Sequence, residues 1–175
     1  MKTITKKYKV FTFDELSQEA KDRAREDYNA NIDYPFLTDD LREYIHEELE
    51  EAGYKEVGIA TSNNPTIVPY YSLGYCQGDG LMFEATVEDK KGNQYTIKHS
   101  GHYYHESSTI IEGIDKNGND IDTENFENNV YIPICLSVRD RGYNEIEWMD
   151  SEENFRETCE ANEYHFLEDG TMFNY

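Results

Sequence analysis

The chain carries 37 acids against 16 bases over 175 residues, a net charge of −21, together with fifteen Tyr and eight Phe. Charge of this size and sign excludes direct DNA or RNA binding through phosphate contacts, and the aromatic content excludes a disordered chain. No apolar run approaches the ~20 residues of a membrane span. The N-terminal lysines have no apolar segment behind them and do not read as a signal peptide. Cys76, Cys135 and Cys159 lack Cys-x-x-Cys spacing, so they read as reduced thiols of a cytosolic protein.

In chain order, Lys6 to Phe13 alternates like an edge strand, with lysines that discourage stray pairing. Asp14 or Ser17 then caps a helix running to Tyr28, with Leu16, Ala20, Ala24 and Tyr28 as its buried stripe. Asn29 to Pro35 breaks it. Thr38 caps a second helix, Asp39 and Asp40 stand in its first turn, and Gly53 ends it. Leu41, Tyr44, Ile45 and Leu49 face inward, Phe36 and Leu37 fold back on Leu41 as a hydrophobic staple, and His46 is exposed. From Tyr54 the period changes from about 3.6 to 2. Strands are predicted over 55–61, 66–75, 81–89, 94–100 and 102–112, with Pro65 and Pro69 at the ends or an edge of the second. Lys90-Lys91-Gly92-Asn93 and Lys116-Asn117-Gly118-Asn119 read as hairpin turns, and no internal repeat is visible.

Val130 to Val138 fits either a strand or a helix that starts at Pro133. The pattern favours a helix over 133–148, although Gly142 interrupts it. Ser151 caps a last helix to about Asn162 with Phe155 and Cys159 inward, and an Asp-Gly hairpin follows. The expected fold is one α+β domain over 1–175. It comprises a strand and two helices (1–53), an antiparallel meander (54–119) and an acidic helical and hairpin part (120–175). The sheet is expected to be twisted, with the N-terminal helices on one face.

The least generic stretch is Tyr71 to Glu84, where two aromatic, apolar runs flank Gln77-Gly78-Asp79-Gly80. Gly78 and Gly80 permit a tight corner and Asp79 can hydrogen-bond backbone within it. Three pieces resemble a known family: Phe13-Asp14-Glu15-Leu16-Ser17-x-Glu19-Ala20-Lys21, Ser72-x-Gly74-Tyr75-x-Gln77-Gly78-Asp79-Gly80-x-x-Phe83-Glu84, and Ala161-Asn162-Glu163-Tyr164-x-Phe166-x-Glu168-Asp169-Gly170. In this order they are similar to a family of small, uncharacterised proteins carried by bacteriophages and prophages. The resemblance implies a protein made in the cytoplasm of a bacterial host. It carries over no catalytic residue.

Candidate chemistry is sparse. His99, His102 and His105 invite a metal reading, but on one straight strand His99 and His105 lie roughly 20 Å apart with His102 on the opposite face. A zinc ion needs its nitrogens about 2 Å away. Asp79 could orient His102 or His105 as an acid–base pair while Gln77 places a ligand; the plainer role for Gln77 and Asp79 is to hold the turn, and that is favoured. Cys76 is a nucleophile only if a base lowers its pKa, and burial as a small apolar residue is favoured. Calcium binding is an alternative use of Asp120, Asp122 and Glu124, but Asp115-x-Asn117-Gly118-Asn119-Asp120 lacks the full twelve-residue loop pattern. No metal and no cofactor is expected.

The acids are uneven: residues 106–175 hold 18 against 4 bases. Asp120, Asp122, Glu124 and Glu127 are followed by Glu145, Glu147, Asp150, Glu152, Glu153, Glu157 and Glu160, with Glu153, Glu157 and Glu160 along one side of a helix. A bland reading, solubility, stays open. The functional reading is a non-enzymatic binding protein of a phage. It would inhibit a basic, nucleic-acid-binding defence factor of the host, such as a CRISPR nuclease, by DNA-like charge. The alternatives are a small-ligand or metal-dependent enzyme built on Gln77, Gly78, Asp79, Gly80, His102 and His105, and an antitoxin-like partner of a basic toxin.

Overall fold

Alternation from Gly80 to Glu88 makes the central strand. Leu81, Phe83, Ala85 and Val87 are buried on one face, and Glu84, Thr86 and Glu88 point to the other. This computed structural model describes residues 2, 5–58 and 66–174. They fall into two compact units, Met1–Tyr34 with Ile146–Tyr175, and Pro35–Glu145. Each is taken by itself below.

The sheet belongs to the second unit. β1 (Lys55–Glu56), β2 (Val68–Ser72), β3 (Gly80–Glu88), β4 (Gln94–His99) and β5 (Thr109–Ile114) run antiparallel in the order β1-β3-β4-β5. β2 pairs the first half of β3, with Val68 opposite Glu84 and Ser72 opposite Gly80; β1 pairs its end. Helices accompany this open, twisted sheet, so the fold is α+β. Pro69 is tolerated because β2 pairs on one side only. The predicted strand over 102–112 starts at Thr109 instead. Gly101, at φ +115°, opens a loop that Ser100 closes by donating its N–H to the Ser108 carbonyl. Residues 59–61 of the first predicted strand and Pro65 lie outside the described residues.

The two predicted turns are copies of one motif, Asp-Lys-x-Gly-Asn, which is an internal repeat the sequence reading missed. In Asp89–Asn93, Asp89 Oδ1 accepts from the N–H of Lys91 (2.8 Å) and Asn93 (2.9 Å). Its other oxygen accepts from Asn93 Nδ2. In Asp115–Asn119, Asp115 Oδ1 accepts from the N–H of Asn117 (2.7 Å) and Asn119 (2.9 Å). Gly92 and Gly118 both sit at φ +83°, where glycine is unstrained. Donors from Asn119 and Asn117 hold the Asp115 carboxyl down at about 2. Those lone pairs are engaged within the turn.

α2 (Leu37–Glu51) buries Leu37, Leu41, Ile45 and Leu49. Thr38 is not its cap: no side chain caps this end, and the Thr38 hydroxyl bonds Tyr71 OH at 2.8 Å. Of the predicted staple, Leu37 is buried but Phe36 is 70% exposed. At the other end Tyr54 N–H donates to Leu49 and Gly53 N–H to Glu50, a Schellman closure with Gly53 at φ +87°. His46 is half-buried against Glu56, 2.6 Å away, and that bond raises its pKa. After a short turn, α3 (Glu124–Phe126), and a π-turn over Glu127–Tyr131, α4 (Ile132–Met149) runs on unbroken. Gly142 does not interrupt it. A Cβ there would stand 2.8 Å from Leu73 Cδ1 and 3.0 Å from Leu41 Cδ2, so the missing side chain permits close packing. Tyr131 and Cys135, one turn apart, are fully buried, and burial pushes both of their pKa values up.

The first unit gathers both chain ends. Ser17 caps α1 (Gln18–Asn29) by accepting from Ala20 N–H, and Ser151 caps α5 (Glu152–Ala161) by accepting from Asn154 N–H. Phe13, Leu16, Ala20, Ala24, Phe155, Cys159 and Phe166 form its core. The predicted strand over 6–13 is reduced to one bridge, Phe11 opposite Phe166. The opposing segment offers no longer partner, because it turns at once into the hairpin closed by Leu167 and Thr171. Phe13 leaves the strand pattern to pack edge-on against Phe155, with ring centroids 5.0 Å apart. α5 ends in a second Schellman closure, Tyr164 N–H to Cys159 and Glu163 N–H to Glu160. The left-handed position is held here by Glu163, at φ +53°. Glu163→Gly is therefore expected to stabilise the protein by about 1 kcal/mol, because glycine carries no Cβ penalty in that conformation. A rise in the urea midpoint without a change in slope checks it. Among the described residues no helix is long and apolar enough to cross a membrane.

Candidate functional site

The Gln77–Gly80 corner closes the loop between β2 and β3, and Asp79 is its hub. Its carboxylate accepts from Ser72 Oγ (3.1 Å), the Cys76 N–H (3.1 Å), the Cys76 thiol (3.2 Å) and the Tyr143 hydroxyl (2.6 Å). The Tyr143 bond, more than the Cys76 donors, holds the Asp79 carboxyl far below the usual carboxylate range; partial burial opposes it. Burial and the same bond push the Tyr143 phenol up to about 12. The bond to Asp79 raises the Cys76 thiol. A raised thiol is a poor nucleophile, so Cys76, although exposed rather than buried, has no activated form here.

Asp79 thus holds the turn and orients no histidine. His102 is exposed, and His105 approaches the corner only by packing, its Cγ 3.2 Å from where a Gly80 Cβ would stand. Gly80 is required there, since that Cβ would lie 2.7 Å from the Tyr104 carbonyl oxygen. Gln77 is exposed at the tip. His99 stacks on Tyr70 with ring centroids 5.3 Å apart, and its Nε2 lies 3.1 Å from the Tyr103 carbonyl oxygen. Glu84 fixes this stack, accepting from Tyr70 OH (3.0 Å) and the His99 N–H (2.9 Å). No cluster of three or more His, Cys, Asp or Glu among the described residues could hold a metal ion.

Tyr143→Phe is expected to raise the Asp79 pKa toward its ordinary value near 4, read by carboxylate NMR titration. Because the folded pKa is depressed, the corner's contribution to stability is full above the unfolded value and is lost as pH falls through the folded one. In the variant that contribution is smaller and its loss is complete at a higher pH, while the onset, set by the unfolded value, does not move.

The acids expected to form one array lie on separate segments and differ in state. Glu145 accepts from Tyr44 OH (2.6 Å), Asp150 accepts from Tyr34 OH (2.9 Å), Glu152 pairs with Arg156 (3.0 Å), and Asp122 receives the Glu124 N–H (3.0 Å). Asp120, Glu124 and Glu147 are exposed, and Glu127 is partly so. Glu153, Glu157 and Glu160 stand exposed along one side of α5, and among the described residues no ion pair involves them. The arginines are differently placed: Arg23, Arg25, Arg42, Arg139, Arg141 and Arg156, the chain's full set, each pair with a carboxylate.

Sequence reasoning missed Tyr143, which meets Asp79 across 64 residues and carries no local signal. It also missed Tyr75, which sits at φ +56° with its ring 4.8 Å from Tyr143. No family model, curated protein or solved structure matches this chain.

Proposed function

We propose that the chain is an acidic, non-enzymatic binding protein of a bacteriophage. It acts in the host cytoplasm, where it engages a basic, nucleic-acid-binding defence factor such as a CRISPR nuclease and displaces nucleic acid by presenting DNA-like charge. The observation that carries this reading is the exposed row Glu153, Glu157 and Glu160 on α5, free of ion pairs among the described residues. On a helix these positions rise by about 6 Å and then 4.5 Å along one side. The rest of the charge pattern supports it. All arginines are engaged internally, so the bidentate group best suited to phosphate is spent, and a net −21 steers the chain toward basic surfaces. The enzyme alternative loses its geometry, since Asp79 is bonded to Ser72, Cys76 and Tyr143.

The test is retention of proteins from bacterial host lysate on the immobilised chain, with nuclease present, followed by nucleic-acid binding assays on the retained protein. A basic protein held at low salt, released at high salt and blocked from its nucleic acid by the chain is the expected result. Glu153→Lys with Glu157→Lys is expected to weaken that binding at least tenfold. Retention that ignores the charge reversal, or no partner at low salt, overturns the proposal.

A further inference from the structure

The unit that gathers both chain ends holds a pocket of about 380 Å³, between the segment that leads into α1 and the C-terminal half of α5. Small-molecule sites begin at about this size. Its floor is apolar: Phe13 and Cys159 are each 3% exposed, and the half-buried ring of Tyr164 adds a wall. Its rim is polar and exposed, and carries Asp14, Glu160 and Glu163.

The charge of this rim is local and negative. Arg156 is the one arginine or lysine of the lining, and it is held on two sides, 3.0 Å from Asp14 and 3.0 Å from Glu152. Lys21, outside the lining, stands 4.0 Å from Asp14 as well. His165 lines the pocket too and is a cation only when protonated. Glu160 and Glu163 enter no ion pair among the described residues. The field reaches the floor. Burial pushes the Cys159 thiol up to about 12, and the Asp14 and Glu160 carboxylates add to that rise.

Glu163 stands there against its own backbone preference. It holds the left-handed position of the α5 closure, at φ +53°, which glycine fills without a Cβ penalty. Strain of this kind gathers at ligand sites. What glutamate brings to the position, and glycine lacks, is a second unpaired carboxylate at the mouth of the pocket.

We propose that this pocket binds a small organic cation, a primary amine carried on one aromatic ring, with the ring against Phe13 and Tyr164 and the ammonium at the Glu160 and Glu163 carboxylates. Ring burial supplies affinity and the carboxylates select the charge. A neutral ligand of the same shape gains the first contribution alone, and an anion meets two uncompensated carboxylates.

The experiment titrates 2-phenylethylamine and 2-phenylethanol, a charged and a neutral ligand of nearly equal shape, into the full chain, read by amide NMR shifts. A pH of about 8 keeps imidazoles neutral. The amine is expected to bind at least tenfold more tightly than the alcohol, with shifts at residues 12–14 and 156–165. Glu163→Gly is the informative variant, because it removes the carboxylate while raising the urea midpoint, so a loss of binding is not a loss of fold. It is expected to weaken the amine about threefold and leave the alcohol unchanged. Adding Glu160→Gln is expected to bring the two ligands within about twofold of each other. Should Glu163→Gly fold poorly, Glu160→Gln alone, on the exposed side of α5, takes its place with the same threefold loss expected. Equal affinities in the unmodified chain, shifts centred elsewhere, or a tenfold preference that survives both substitutions overturns the proposal. Glu153 and Glu157 are untouched throughout, so these outcomes stand apart from the partner-binding test above.

Discussion

Gly170→Ala is expected to lower the unfolding free energy by about 3 kcal/mol. Two effects add. Gly170 sits at φ +86°, where a Cβ costs about 1–2 kcal/mol. That Cβ would also run into the Ala20 carbonyl group, with Ala20 Cα 3.2 Å away. Ala20 is buried in α1, so the obstacle is helix backbone with no rotamer to change. Gly118→Ala separates the two effects: φ is +83° and nothing lies within 4 Å of the new methyl. It should show the conformational part alone, about 1 kcal/mol. Urea unfolding of both variants checks this, and equal losses would remove the steric argument.

Leu41→Ala comes next, at about 3 kcal/mol, for a side chain with no exposed surface. Its pairing with Gly142 makes the prediction sharper. In the unmodified chain a methyl at 142 crowds Leu73 Cδ1 at 2.8 Å and Leu41 Cδ2 at 3.0 Å, and that crowding offsets the ~1 kcal/mol that alanine gains over glycine inside a helix. Once Leu41 is shortened, the 142 methyl enters the vacated space. Gly142→Ala should then recover part of that ~1 kcal/mol in the Leu41→Ala background, where the Leu73 contact remains, while staying near neutral alone. A double-mutant cycle by urea unfolding measures the coupling, and additive effects would show that the two positions do not share this space.

The parts legible in the sequence were those set by local periodicity and capping. Ser17 and Ser151 cap where expected, Gly53 ends its helix, and β3 and β4 fall within a residue of their predicted bounds. The failures share a cause, which is a distant partner. Thr38 looked like a cap and is claimed by Tyr71. Lys6 to Phe13 looked like a strand, yet Phe166 offers one bridge. Gly142 looked like a break because Leu41 and Leu73, which make it necessary, lie far off in sequence. The corner was recognised by its glycines, but the partner that dominates Asp79 comes from α4. The twin Asp-Lys-x-Gly-Asn turns were readable and were read only as glycine turns, because the aspartate's role shows in its hydrogen bonds.

The split of the first unit across both chain ends sets an order of events during synthesis. Residues 35–145 leave the ribosome as one continuous run with all of their own partners. α1 leaves earlier, and at 12 residues it is too short to persist alone. Its partners Phe155 and Phe166 come last, and Arg23 waits 146 residues for Asp169. At ordinary elongation rates that interval is on the order of ten seconds. For that time Phe11, Phe13 and Tyr28 are nascent, unsheltered apolar groups, and the leading segment completes its fold only as the tail emerges.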